Sequence, residues 1–278
     1  MNLTKYGVWI GRSLTEADYG EAASLVEDLG FGTLWLGGSP RLLKLRPMLE
    51  ATESLVIATG IVNIWQYDPA VLAQEFAELD GDFPGRLLLG IGIGHPEATS
   101  EYQKPLTKSR EFLDGIAAAP APVPHERMVL AALGPKMLDL SLERTLGSHP
   151  YFVPVEHTRF ARERLGARAL LAPELAMVVD DDPERAAVAA RAYAEMYLQR
   201  TNYTSNLKRF GWSDEDIANG GSDRLMAAVV PQGSAADLVP AIQAHLDAGA
   251  DHVCVQPVGT SGVPTEQWTA LAVALGLK

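Results

Sequence analysis

The sequence predicts an α/β fold, a (β/α)8 TIM barrel with an insertion near its C-terminal third. Short apolar runs alternate with amphipathic helical patterns along nearly the whole chain. The runs are apolar on both faces, as parallel strands covered by helices require. The length, 278 residues, is close to the roughly 250 that eight such units occupy. The competing architecture is an open doubly wound sheet, and against it no strand-like run leads into a GxGxxG turn that opens a helix.

The elements follow in order. Tyr6–Ile10 reads as the first strand. Thr15 with Asp18 forms a capping pair, and Tyr19, Ala22, Val26 and Leu29 fall at helical spacing before the stop at Gly30. Thr33–Leu36 is the second strand and Leu55–Val62 the third. Asp68 then caps a helix with Pro69 at its first position and Leu72, Phe76 and Leu79 inward. Arg86–Ile93 is the fourth strand, followed by a short helix over Ser109–Ile116 and an extended, exposed Pro/Ala connector from Ala117 to Pro124. Met128–Ala132 and Tyr151–Val153 read as strands five and six, with helices over Lys136–Leu146 and Glu156–Leu165. Leu175–Val179 is the seventh, and Asp182-Pro183 opens a long helix. Between Thr201 and Asp223 the periodicity fails, which predicts an insertion or lid within a single domain spanning residues 1–278. Ser234 with Asp237 caps another helix, His252–Gln256 is the eighth strand, and Pro264–Leu275 closes the fold.

Composition bounds the function. The formal net charge is -12, with 47% hydrophobic and 21% charged residues. An acidic surface repels phosphate backbones and anionic headgroups, so neither nucleic acid nor membrane is the expected partner. No run is apolar over a membrane-spanning length and no secretory leader pattern opens the chain, so a cytoplasmic protein is expected. Cys254 lies in an apolar run, where an inert buried thiol is expected. The histidines lack metal-ligand spacing, no HExxH, CxxC, P-loop or GxSxG is present, and no metal site is expected.

In a barrel of this kind the chemistry sits at the C-terminal ends of the strands. Four stretches qualify. Gly37-Gly38-Ser39-Pro40 follows strand two. Gly60 lies inside strand three, where glycine marks a bulge or a close backbone approach, and Asn63 emerges at its end. Gly90, Gly92 and Gly94 alternate at the end of strand four, leaving a face bare enough to floor a planar ring. His95 follows at once as a candidate proton donor or acceptor, ahead of Pro96 and Glu97. Gly134-Pro135-Lys136-Met137 is a strand-to-helix turn whose free N–H groups, dipole and lysine favour a phosphate.

Taken together, TGIVNIWQYDPAVLAQEFAELD, GRLLLGIGIGH and AALGPKMLDL, in that order, resemble the luciferase-like flavin and deazaflavin oxidoreductases, in particular the F420-dependent actinobacterial members. The resemblance runs from Tyr6 to Val258. It implies a hydride transfer at the C5 atom of coenzyme F420 to or from a small-molecule substrate, and a homodimer. It implies a non-proline cis peptide at Gly60-Ile61 behind the ring, with Asn63, Gly94 and His95 along the ring; Gly38 and Gly92 are the bare backbone positions read above as approaching it. The cofactor phosphate falls to Gly134, Pro135, Lys136 and Met137. His95 is the expected catalytic acid, with Tyr151 as second choice. Two positions depart from the pattern. Gly37-Gly38-Ser39-Pro40 stands where some relatives carry an acid–His pair, and Ile93 where bacterial luciferase has an arginine for the flavin phosphate. The second departure leans toward F420 and away from FMN. An FMN-dependent monooxygenase and a non-catalytic flavin or deazaflavin binder are the alternatives.

Overall fold

The computed structural model describes residues 3–11, 13–95 and 104–278; Pro96 and Glu97 lie outside the described residues. In chain order the elements are β1 (Tyr6–Ile10), α1 (Tyr19–Asp28), β2 (Thr33–Leu36), α2 (Arg46–Glu50), β3 (Val56–Thr59), β4 (Val62–Asn63), α3 (Pro69–Asp82), β5 (Leu87–Gly92), α4 (Pro105–Ala117), β6 (Met128–Leu130), α5 (Pro135–Arg144) and β7 (Gly147–Ser148). Then come α6 (Val155–Leu165), β8 (Leu170–Leu171), β9 (Glu174–Val179), α7 (Pro183–Leu198), α8 (Thr201–Arg209), α9 (Asp214–Ile217), α10 (Asp223–Val229), β10 (Gln232–Gly233), α11 (Ala235–Asp247), β11 (Val253–Pro257) and α12 (Thr265–Ala274).

Parallel pairing runs β11–β1–β2–β3–β5–β6–β7–β8, with β4 continuing β3 alongside β5 and with β9 beside β11. The ring closes because β8 and β9 are one strand interrupted at Ala172-Pro173. Proline has no N–H to give the ladder. On one side, Ala172 and Glu174 donate to the carbonyls of Ser148 and Pro150; on the other, the carbonyls of Leu171 and Pro173 accept from Asp251 and Cys254. β10 adds a short rung beside the end of β9.

Strand periodicity sorts the side chains into two layers. Val8, Ile10, Leu34, Leu36, Ile57, Leu87 and Leu89 pack outward into the core shared with the helices. Their neighbours Trp9, Trp35, Val56, Ala58, Leu88, Val129 and Cys254 fill the barrel interior. A further cluster, built on Ala186, Ala190 and Ala194 of α7 with Tyr203 and Leu207 of α8, covers the C-terminal rim. The predicted caps form: Asp68 accepts from Ala70 and Val71, Asp182 from Glu184 and Arg185, and Ser234 pairs reciprocally with Asp237.

Three expectations differ from the structure. Tyr151–Val153 is not the sixth strand: pairing is at Gly147–Ser148, and the apolar run beyond is a buried loop, because Pro150 cannot donate and Phe152 turns to φ 53. The connector after α4 is not fully exposed, since Ala119 and Val123 are buried against the core. Residues 201–223 are not aperiodic: they hold α8, whose Tyr203, Asn206 and Leu207 are buried one turn apart, and α9.

Gly90 sits where β3 and β5 touch. Thr59 Oγ1 donates to its carbonyl at 2.8 Å and its N–H donates back to the hydroxyl at 2.9 Å. A Cβ there would lie 1.9 Å from the Thr59 carbonyl oxygen, whereas one on Gly81, exposed in α3, meets nothing within 4 Å. Gly90→Ala is therefore expected to destabilise by about 1–3 kcal/mol, and Gly81→Ala to stabilise by about 0.5–1 kcal/mol through helix propensity. Urea midpoints should move in opposite directions with unchanged slope; equal shifts would contradict the packing described.

Candidate active site

The rim at the C-terminal ends of the strands gathers most of the sequence-predicted residues. β3 and β4 are separated by a bulge at Gly60-Ile61, where the peptide bond is cis. The Ile61 side chain lies on the bare face of Gly92, whose Cβ would meet it at 2.9 Å. Asn63 is fixed by its backbone: its N–H donates to Ser39 Oγ at 2.9 Å, and its Oδ1 accepts from the Trp65 N–H at 3.0 Å. Its amide nitrogen fills the space a Cβ would take at Gly94, which turns at φ 68. His95 follows with its ring centroid 5.2 Å from that of Tyr203 on α8. Gly38 is exposed at φ 81, outside the bulge itself.

β6 lies beside β5 with Leu130 opposite Ile91, so the turn after β6 opens on the same rim. Gly134 is the N-cap of α5 and offers no side chain to the first N–H groups, with Pro135 at the first helical position. Lys136 is exposed, and Met137 turns into the core. His157 Nε2 donates to the Leu133 carbonyl at 3.0 Å, and Arg209 Nη2 stands 4.0 Å from where a Gly134 Cβ would be.

The bare faces of Gly37 and Gly60 receive an aromatic ring from the chain itself. A Cβ on Gly37 would lie 2.3 Å from the Trp9 indole, and one on Gly60 2.2 Å from its Nε1. That Nε1 is buried and has no hydrogen-bond partner. Trp9 in turn packs on Tyr151, with centroids 5.1 Å apart.

Tyr151 is the hub of a network that sequence reasoning missed. Its hydroxyl meets those of Tyr193 at 2.8 Å and Tyr197 at 3.0 Å, and donates to Gln256 Oε1 at 2.8 Å. The Tyr193–Tyr197 spacing on α7 was the available signal. Beneath lies Glu174, 1% exposed, whose Oε2 accepts from the Phe152 N–H at 3.1 Å while Oε1 has no partner. Burial pushes this carboxyl up to about 8, against the lowering pull of the Phe152 bond. Burial also holds the Tyr151, Tyr193 and Tyr203 hydroxyls well above their ordinary value. The barrel mouth thus presents protonated groups at neutral pH, suited to donate to a substrate oxygen and unsuited to abstract protons. A cavity of about 170 Å³ opens beside the network, lined by Ile10, Gly11, Ser13, Tyr193, Gln256 and Val258.

The remaining buried histidines are structural. A carbonyl only accepts, so His252 carries its proton on Nδ1, bonded to the Thr4 carbonyl at 3.0 Å; Nε2 then accepts from Thr33 and Trp35. His149 stacks on Trp35 at 4.1 Å and donates from Nδ1 to the Ala172 carbonyl. Burial lowers His149, His157, His245 and His252 to about 4. Among the described residues no group of three or more His, Cys, Asp or Glu is placed to hold a metal, and no helix is long and apolar enough to cross a membrane.

Residues 3–118 match the family of luciferase-like monooxygenases. That stretch, under half of the chain, is what resembles the family. A Mycobacterium tuberculosis protein assigned by name to the coenzyme F420-dependent oxidoreductases is 26% identical over 141 residues, 45% of this chain and 41% of that protein. The F420-dependent glucose-6-phosphate dehydrogenase of Microbacterium testaceum is 32% identical over 104 residues, 29% of this chain and 31% of the enzyme. The matches thus span under half the length of these relatives. In structure, an F420-dependent secondary alcohol dehydrogenase in complex with an F420-acetone adduct superposes with a TM-score of 0.77 at 16% identity, covering 99% of both chains. The likeness of fold therefore extends over the whole chain.

The buried titrating groups set a pH profile for stability. Glu174 binds its proton more tightly folded than unfolded, so its contribution falls as pH rises from about 4.5 through about 8. The four histidines bind protons less tightly when folded, so theirs falls as pH drops from about 6.5 towards about 4. Four histidines outweigh one carboxyl where the windows overlap, so chemical denaturation is expected to show greatest stability near the upper edge of the histidine window, about 6.5, and Glu174→Gln should flatten the alkaline limb above it. An unaltered alkaline limb in the variant would mean that Glu174 is ionised when folded.

Proposed function

We propose that this chain is an F420-dependent oxidoreductase of the luciferase-like fold, acting on a small organic substrate, with residues 1–278 forming one domain and residues 201–223 serving as its lid. The carrying observation is the convergence on one rim of Asn63, Gly94 and His95 with the uncapped start of α5 at Gly134. When bound, the cofactor would supply a hydride carrier at its C5 atom. Gly134, Pro135, Lys136 and Met137 would take its phosphate at the helix start, where dipole and free N–H groups favour an anion. Gly38, Gly60, Ile61, Asn63, Gly92 and Gly94 would frame the ring, and His95 would hold or deliver the substrate's proton. A carbonyl or hydroxyl substrate beside the cavity at Tyr193 and Gln256 would meet donors already protonated.

The two ends of such a cofactor fit unequally. The helix start is open to a phosphate. The ring end is occupied: Trp9 covers Gly37 and Gly60, and about 170 Å³ of cavity compares with roughly 300–1,000 Å³ for a typical ligand pocket. Any ring laid on Gly60 must displace the Trp9 indole, whose unbonded Nε1 gives it no polar anchor there.

An FMN-dependent monooxygenase is the second reading, favoured by the luciferase-like monooxygenase match over residues 3–118. Ile93 at the end of the fourth barrel strand counts against it. A cytoplasmic homodimer completes the proposal; Val188 and Met196, 70% and 50% exposed on α7, offer an apolar surface for pairing, and sedimentation would test it.

Fluorescence titration with F420 and, separately, FMN should give binding of F420, with a change in tryptophan emission as Trp9 moves. Trp9→Ala should tighten F420 several-fold by removing the competing ring. His95→Ala should lower kcat by roughly 10²–10⁴-fold with little change in affinity, and Lys136→Ala should weaken affinity and spare kcat. Binding of FMN alone would favour the monooxygenase, and F420 binding with no turnover on any carbonyl or alcohol would favour a carrier protein.

A further inference from the structure

We infer that α8 completes an anion site at the start of α5, with Arg209 and Asn206 as a clamp for a phosphoester. This rests on the proposed function for the identity of its ligand, though its geometry stands independently of that reading. Asn202, Asn206 and Arg209 fall at i, i+4 and i+7 and so share one face of α8. Arg209 Nη1 donates to Asn206 Oδ1 at 2.9 Å, while its Nη2 points to within 4.0 Å of the Cβ position of Gly134, the uncapped start of α5. Among the described residues no carboxylate pairs with Arg209. The nearby acid Asp139 is held by Arg164 through two bonds of 2.6 Å.

Asn206 supplies the observation that points to a ligand. It is 1% exposed, yet its Nδ2 has no hydrogen-bond partner. Buried amide donors are satisfied in the great majority of folded proteins, and an exception marks a missing partner. The partner must accept hydrogen bonds, carry negative charge to match Arg209, and sit before a helix start whose dipole favours anions. A phosphoester meets all three conditions. The charge is local: it operates within a chain of net charge -12, because a dipole and one guanidinium at contact distance outweigh screened distant carboxylates. Packing holds the clamp in place, since Phe210, following Arg209, lies edge-on to His157 and Phe160 of α6 at 5.6 Å each.

The test uses the full chain and three probes: F420, the same deazaflavin without its phosphate tail, and inorganic phosphate. Wild type should bind F420 more tightly than the tail-less ring, and phosphate should raise its unfolding temperature. Arg209→Ala should weaken F420 by roughly 10- to 100-fold, leave the tail-less ring unaffected, and abolish the phosphate response. Arg209→Lys, which keeps charge and loses the planar fork, should fall between. Asn206→Asp, nearly isosteric, should repel phosphate while unfolding cooperatively as wild type does. If Arg209→Ala leaves F420 affinity and the phosphate response unchanged, the clamp is wrong and the proposed function stands. If wild type binds neither deazaflavin, the proposed function falls and the phosphate arm decides the clamp: a response lost in Arg209→Ala retains it, while an equal or absent response ends it.

Discussion

The mouth of this barrel is organised by the indole of Trp9 lying on two residues that have no side chains. Gly37 and Gly60, on adjacent barrel strands, each leave room that a Cβ would close to less than 2.4 Å. The ring that fills this space then supports Tyr151, and through its hydroxyl the residues of α7 and β11. One flat contact thus joins the early strands to the late ones. It is held by shape and dispersion alone, since the indole N–H has no acceptor. Buried rings without a polar tether are the easiest to replace by another ring of similar shape, because only packing must be matched.

The layers below are of the opposite kind. Trp35, His252 and Thr33 form a hydrogen-bonded cluster with His149 stacked on Trp35, and each histidine's tautomer is dictated by a backbone carbonyl. Such groups stay neutral and rigid, and deleting one partner strands the others. Glu174 stands between the two regimes: half-bonded, buried, and under the tyrosines. A rigid polar floor below an adaptable aromatic mouth is a sensible division for a site that must hold geometry and still admit a ligand.

The strands and helix caps were readable because they rest on local signals. Thr15 with Asp18, Asp68 with Pro69, and Ser234 with Asp237 each place a side-chain oxygen before free N–H groups, whatever the tertiary context. Tyr151–Val153 misled because apolar character marks burial and not extension, and Phe152 at φ 53 leaves the strand path. α8 was hidden because Thr, Asn and Ser are weak helix formers, so only the burial of Tyr203, Asn206 and Leu207 fixes it. Of the candidate site, the glycines and His95 announced themselves by pattern. Trp9 did not, since one aromatic in an apolar strand reads as core. Glu174, Gln256 and Arg209 were equally silent, being single polar residues far apart in sequence, brought together only when the ring of strands closes.

α8 links the two ends of the site mechanically. Tyr203 faces His95 near its start, and Arg209 reaches Gly134 at its end. Six residues of helix span about 9 Å, a stiff connection over that length. A ring entering at Trp9 presses on Tyr151 and, through the aromatic cluster, on Tyr203. An anion at Gly134 draws on Arg209 at the other end of the same rod. In the proposed function, displacement at one end would change the energy of the other, and capture of the tail would offset the cost of moving the aromatic mouth. On that reading the open helix start would have a purpose beyond affinity: it would secure the ligand at the end that needs no rearrangement, and the end that must rearrange would follow as an intramolecular step.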